Sequence, residues 1–238
     1  VRVIDFGHLD DGLPFLMMEF IEGQSLAALL RGGGPLAVPD AVRAVLHACA
    51  ALAEAHAVGV IHRDIKPANL LLSARSDGSP LVKLADFGIA KLQKAEFLTE
   101  THASLGSPAY MAPEQIRDAR VADPRSDVWS LGVTLHELLA GQTPFHAFTA
   151  PGILSRVLTE EPTPLRQLRP EVPDAVIAAV ERCLQKDPTR RPPPEPLVLA
   201  APVEEQITDA TTSLTQAPVH PAPDAPQALR VAPPVPGS

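Results

Sequence analysis

Asp64, Lys66 and Asn69 lie within six consecutive positions of the segment HRDIKPAN (62–69), between apolar residues around Val60 and the run that starts at Leu70. A carboxylate, a lysine and an amide this close together, on a loop between a helical and a strand-like pattern, suit one kind of chemistry. Moving a phosphoryl group needs a carboxylate to orient the attacking hydroxyl and take its proton. It also needs a cation to neutralise the moving group and an oxygen ligand for magnesium. Asp64, Lys66 and Asn69 match those roles in type and spacing. A second metal carboxylate has to arrive on a neighbouring turn, and Asp86 in DFG (86–88) offers one. MAPE (111–114) follows downstream.

The elements that would carry these residues are readable on either side. VRVID and LPFLMMEFI read as two strands joined by GHLDDG, whose Asp-Gly pair marks a turn. SLAALLRGGG reads as a short helix capped by Ser25 and stopped by glycines. Val42, Val45, Leu46, Cys49, Leu52, Ala53 and His56 recur at helical spacing, opened by Pro39 and Asp40 and closed by Gly59, so a long helix delivers the chain to the HRD loop. LLLS and LVKLAD, about the turn SDGSP, read as strands, and a weakly patterned segment runs from Phe87 to about Asp123. SDVWSLGVTLHELLAGQTPF is apolar on nearly every face and reads as a buried central helix, with shorter amphipathic helices in GILSRVLTE and DAVIAAVERCLQ. The expected fold class is α+β, mostly helical with a few short strands.

Composition narrows the function classes. The chain has 238 residues, 45% hydrophobic and 20% charged, enough for a real core. A formal charge of −8 argues against nucleic acid as a partner, since such surfaces are basic. Cys49 and Cys183 sit in helical patterns without metal-ligand spacing and read as small buried hydrophobes in a reducing compartment, not as a disulfide. His47, His56, His102 and His136 show no metal-ligand pattern either. No run of 18 apolar residues and no export signal is visible, so a cytoplasmic location is expected. Residues 192–238 hold 12 prolines and little aliphatic periodicity, which predicts a disordered or polyproline-like tail.

In its motifs the chain resembles the protein kinase family, closest to bacterial serine/threonine kinases of eukaryotic type. HRDxKPxN, DFG and APE occur in the family's order, and the resemblance covers roughly residues 1–192. It implies a protein-kinase-like fold: remnant N-lobe strands and hinge at 1–21, a C-lobe at 22–192, and a Pro-rich tail or linker at 193–238. It also implies ATP and Mg2+, with protein serine and threonine hydroxyls as substrates. By the resemblance, Asp64 is the catalytic base, Asn69 and Asp86 are magnesium ligands, and Lys66 meets the transferred phosphate. Met18 stands as gatekeeper, the backbone of Glu19 and Ile21 meets adenine, and Leu71 forms part of its floor. Lysine two places after the aspartate is the serine/threonine pattern, and Ser107 stands where threonine is usual. His62 and Phe87 are expected in the core. Asp127 is expected to bond the HRD backbone and Glu114 to pair with Arg191. Arg63 is the expected dock for a phosphate on Thr99, Thr101 or Ser104.

The family also uses a glycine-rich loop, a strand lysine and a helix glutamate, all upstream of the hinge. Here the hinge begins near residue 17, the first lysine is Lys66, and RGGGP (31–35) lies after the hinge. Val1 opens a strand already under way, so the sequence reads as a piece of a longer protein or as one that has lost its front. The expectation is a serine/threonine kinase whose chain as given is an inactive fragment. The alternative is a non-catalytic kinase-like interaction module. A small-molecule kinase is a third reading, against which the APE segment argues. Bacterial receptor-type relatives join the kinase domain to a membrane helix through a Pro-rich linker. Residues 193–238 are open to that reading, in a longer membrane-anchored parent, or to that of a free tail.

Overall fold

Helical spacing of Val42, Val45, Cys49 and Leu52 becomes one buried face of a 20-residue helix in the protein's computed structural model, which describes residues 1–9, 14–86, 108–118 and 123–193. Seven helices and five strands are ordered among the described residues. Strands β1 (Val3–His8) and β2 (Pro14–Met18) form an antiparallel hairpin. β3 (Gln24–Ser25), β4 (Leu70–Ala74) and β5 (Pro80–Leu84) form a second antiparallel sheet in the order β3-β4-β5. β1 runs three residues past the expected VRVID, because pairing with β2 continues to His8 opposite Pro14.

Helix α1 (Leu26–Gly33) starts where the Ser25 hydroxyl accepts from the Ala28 N–H at 3.2 Å, and it ends at Gly34, whose φ of 75° suits a residue without Cβ. α2 (Val38–Ala57) has proline in its first turn and stops where Gly59 adopts φ 77°. His47 on α2 turns its Nδ1 to the Val82 N–H at 3.1 Å. That bond satisfies a donor on the edge strand β5 and fixes the sheet to the helix.

α3 (Pro113–Arg117) precedes the central helix α4 (Pro124–Ala140), which is buried on nearly all sides as its sequence predicts. The Asp123 carboxylate caps α4 by accepting from the Arg125 N–H at 2.7 Å, and Gly141 ends it in the left-handed region. α5 (Ala150–Thr159) begins two residues earlier than the expected Gly152 because Thr149 caps it and Pro151 fits its first turn. α6 (Leu165–Leu168) is a single turn, and α7 (Asp174–Cys183) lies against α4. Their contact depends on Gly132: a Cβ there would sit 2.6 Å from the Cys183 Cβ. Both cysteines are buried. Trp129 stacks on Phe145 with ring centroids 5.7 Å apart, and the Lys186 ammonium lies 4.0 Å from the Phe145 centroid. Burial in this aromatic setting pushes the Lys186 pKa down to about 8.

No described helix is long and apolar enough to cross a membrane.

Candidate active site

The HRD loop leaves the end of α2 and is held from below by one buried carboxylate. Asp127, in the first turn of α4, accepts from the His62 N–H at 2.9 Å and the Arg63 N–H at 2.9 Å. Its Oδ2 also lies 2.8 Å from His56 Nε2. Asp127 is fully buried, so these partners are what make its burial tolerable. With its backbone fixed this way, Arg63 takes φ 64°, a left-handed conformation uncommon outside glycine, and the chain turns Asp64 toward Lys66 and Asn69.

Asp64, Lys66 and Asn69 do meet. Lys66 Nζ donates to Asp64 Oδ2 at 2.9 Å. The Asn69 amide nitrogen donates to the Asp64 carbonyl at 2.7 Å and to Oδ2 at 3.2 Å. That commits the nitrogen of Asn69 and leaves its oxygen as the atom the side chain can offer a cation. A 3-10 turn over Pro67–Asn69 compresses the loop so that these three side chains share one place.

Asp86 is brought alongside through the peptide before it. The Ala85 N–H donates to the Asn69 carbonyl at 2.9 Å, and the Ala85 carbonyl accepts from His62 Nε2 at 3.0 Å. His62 Nδ1 in turn accepts from the Asp64 N–H at 3.3 Å, which assigns a neutral imidazole. Burial holds the His62 pKa below its ordinary value despite the nearby Asp127 charge, in keeping with that tautomer. Asp86 then leaves β5 in the left-handed region, φ 57°, with its side chain exposed. Asn69 and Asp86 supply hard oxygen donors, the kind magnesium takes while keeping waters and phosphate oxygens as its other ligands. Among the described residues no three His, Cys, Asp or Glu side chains form a closed metal cage.

The residues expected to form the hinge lie where β2 ends. Met18, partly buried, pairs with Val3. The Glu19 N–H donates to the Arg2 carbonyl at 2.9 Å, and Ile21 follows, half-buried. Leu71 lies on β4 opposite Lys83. The descent from hinge to sheet passes Gly23, at φ 152°, where an added Cβ would stand 1.9 Å from the Leu72 carbonyl oxygen. Only glycine fits that approach.

The segment after the loop is fixed to the helices. Glu114 receives a two-pronged bond from Arg191, at 2.6 and 2.8 Å, and a third from Ser126 Oγ at 2.8 Å. Burial pushes the Glu114 carboxyl up, but the Arg191 hydrogen bonds and charge outweigh it and hold the group below its ordinary value. The Tyr110 hydroxyl donates to Glu137 on α4, and burial raises the pKa of both. Ser130 Oγ donates to the Tyr110 carbonyl at 2.8 Å.

Sequence reasoning placed Asp127 and the Glu114–Arg191 pair on these partners. It left His56 without a partner and missed the Lys83–Glu19 ion pair, at 2.9 Å, because each joins residues more than 60 positions apart. Phe87, Gly88, Thr99, Thr101, His102, Ser104 and Ser107 lie outside the described residues.

The sequence matches the protein kinase domain family over residues 1–200. It is 39% identical over 198 residues to the serine/threonine-protein kinase pkn3 of Myxococcus xanthus, covering 81% of this chain and 36% of that protein. It is 51% identical over 146 residues to the serine/threonine-protein kinase PknL of Mycobacterium tuberculosis, covering 61% of this chain and 35% of that protein. The chain thus spans about a third of the length of these curated relatives. Among solved structures, Rad53 1–466 in complex with AMP-PNP superposes with a TM-score of 0.65 at 27% identity, covering 84% of this chain and 49% of that one. The α+β fold is therefore that of a protein kinase. On motif order, fold and matched length together, the chain belongs to the protein kinase domain family, and its relatives include bacterial serine/threonine-protein kinases.

Proposed function

We propose that this chain carries the catalytic loop and peptide platform of an ATP-dependent protein serine/threonine kinase. One observation carries the reading: the Asp64 carboxylate, bonded by Lys66 and Asn69, stands on a loop whose backbone is clamped by buried Asp127. The substrate hydroxyl gives its proton to Asp64 as its oxygen attacks the γ-phosphorus of ATP, and ADP leaves. Lys66 offsets charge on the phosphoryl oxygens during the transfer. Phosphoryl transfer depends on positioning and charge stabilisation, which a fixed loop provides.

Asn69 and Asp86 would hold magnesium, which when bound offsets the negative charge of the phosphates. Adenine would lie on Leu71 below Met18, with its polar edge at the backbone of Glu19 and Ile21. Lys66 and the kinship with bacterial serine/threonine kinases favour alcohol hydroxyls over tyrosine. The Ala-Pro-Glu segment at 112–114, tied to α4 and Arg191, favours protein substrates over small molecules. ATP use favours a cytoplasmic site, and residues 193–238 are either a linker to a membrane anchor in a longer parent or a free tail.

Residues 1–65 contain no lysine, so this stretch supplies no clamp for the β- and γ-phosphates. The 238-residue chain alone is therefore expected to transfer phosphate slowly, and faster when joined to an upstream kinase lobe. The test is phosphate transfer from Mg-ATP to a Ser/Thr protein substrate by the lobe-complete protein, compared with Asp64→Asn. Losing the base should lower the rate by at least about a hundredfold. An unchanged rate in Asp64→Asn would sink the assignment. No transfer by either form would favour a non-catalytic interaction module.

A further inference from the structure

Glu19 makes more bonds than a hinge residue needs for adenine alone. Its Oε1 accepts from the Arg2 N–H at 2.8 Å, and its Oε2 accepts from Lys83 Nζ at 2.9 Å. One side chain therefore joins the start of β1, the hinge and strand β5. The Lys83 hydrogen bond, followed by that from Arg2, holds the Glu19 carboxyl below its ordinary value.

Lys83 is placed to matter for a nucleotide. It lies directly opposite Leu71 in the β4–β5 ladder, and opposed residues project from the same face of a sheet. Lys83 thus shares its face with the residue assigned to the adenine floor. The same strand ends at Leu84, two residues before Asp86. The ammonium of Val1 also reaches β5, donating to the Leu84 carbonyl at 3.0 Å. Both ties from segment 1–21 land on the strand that leads to the metal carboxylate.

The hinge itself needs such ties. Residues 19–22 have no regular secondary structure, and the hairpin before them exposes Phe6 and Met17 to solvent at 78% and 50%. Little apolar packing is available to set its height above the sheet. Adenine recognition by backbone groups requires that height to be set within a fraction of an ångström, since hydrogen bonds weaken steeply off geometry.

We propose that the Lys83–Glu19 ion pair is a positioning strut that fixes the hinge against β5, so that the adenine contacts and the Asp86 metal position are referenced to one strand. The proposal rests on the nucleotide-binding reading above. Neither residue touches the reacting atoms. Both act through the hinge backbone, so the effect falls on nucleotide affinity.

The experiment is a titration of the lobe-complete protein with Mg-AMP-PNP by calorimetry, for the wild type, Lys83→Met, Lys83→Arg, Glu19→Gln and the Lys83→Met/Glu19→Gln double variant. A half-exposed ion pair couples by factors of roughly two to five. Lys83→Met and Glu19→Gln are each expected to weaken binding by about that factor, and Lys83→Arg to restore it. The double variant should bind no worse than either single one, because both remove the same interaction. Thermal melting of each variant should match the wild type, separating a displaced hinge from a lost fold. Wild-type affinity in Lys83→Met, or fully additive losses in the double variant, overturns the strut alone. A lobe-complete wild type that does not bind Mg-AMP-PNP overturns the nucleotide reading, and the strut with it.

Discussion

The block formed by α2, α4 and α7 and the β1–β2 hairpin are held by different forces. In the block, Val42, Trp129, Val133, Leu138 and Val176 are fully buried, and two clusters of buried hydrogen bonds form around Asp127 and Arg191. In the hairpin, Ile4, Phe6, Leu16 and Met17 are exposed, and attachment to the sheet runs through Glu19, Lys83 and Val1. The residues assigned to phosphoryl transfer stand on the first region and those assigned to adenine border the second. The contrast teaches that the geometry of Asp64 and Asn69 is a property of the core, while that of the hinge depends on a few polar ties. Removing a tie in the block should therefore cost stability, and removing apolar surface in the hairpin should not.

The largest effect is expected at Arg191. Its guanidinium is fully buried at the side chain and donates to both Glu114 oxygens, to the carbonyls of Gln185 and Arg125 at 2.8 and 2.9 Å, and more weakly to that of Lys186. It also lies 5.1 Å from the Trp129 ring centroid. Arg191→Met keeps much of the volume but leaves the Glu114 carboxylate with only Ser126 and several carbonyls without donors. A cost of about 3–5 kcal/mol is expected, read from urea unfolding midpoints at constant slope. A cost below about 1 kcal/mol would mean that the block does not rest on this cluster.

A smaller loss is expected at the α4–α7 contact. In Gly132→Ala the new methyl meets the Cys183 Cβ, an atom rigidly tied to the backbone, so α7 has to shift. Overpacking of this kind costs about 1–3 kcal/mol, offset by about 1 kcal/mol of better helix propensity. The same denaturation experiment should show a net loss of up to about 2 kcal/mol. A net gain would show that the two helices yield easily and that the block is less rigid than its packing implies.

How far these regions were legible in sequence follows from the range of their contacts. Asp64, Lys66 and Asn69 are neighbours in the chain, so type and spacing were enough to bring them together. α2 was legible from its apolar period, and α4 from its lack of one. Asp127 under the HRD loop and Glu114 on Arg191 came through the family resemblance, since no local pattern links residues 64 or 77 positions apart. His56 on Asp127 had no local signal, because a histidine near a helix end is compatible with many partners. The left-handed φ of Arg63 and Asp86 was equally hidden, since neither is glycine and both conformations are imposed by hydrogen bonds to distant residues. Glu19 and Lys83 carried opposite charges 64 positions apart, and only the fold made them neighbours.

The smallest effect is expected in the hairpin, and it tests the comparison from the other side. Phe6 is 78% exposed, so Phe6→Ser removes little area that folding had buried. Its effect on the unfolding free energy should stay within about 0.5 kcal/mol, the range of surface substitutions. The hairpin nonetheless exposes Val3, Ile4, Phe6, Leu16 and Met17, apolar surface of the kind that drives association. Phe6→Ser should therefore lower the self-association seen by light scattering while the urea midpoint stays where it was. A loss of 2 kcal/mol or more would mean that Phe6 packs against the body of the protein. The hinge would then be set by apolar burial as the catalytic loop is, and the two regions would no longer differ in what holds them.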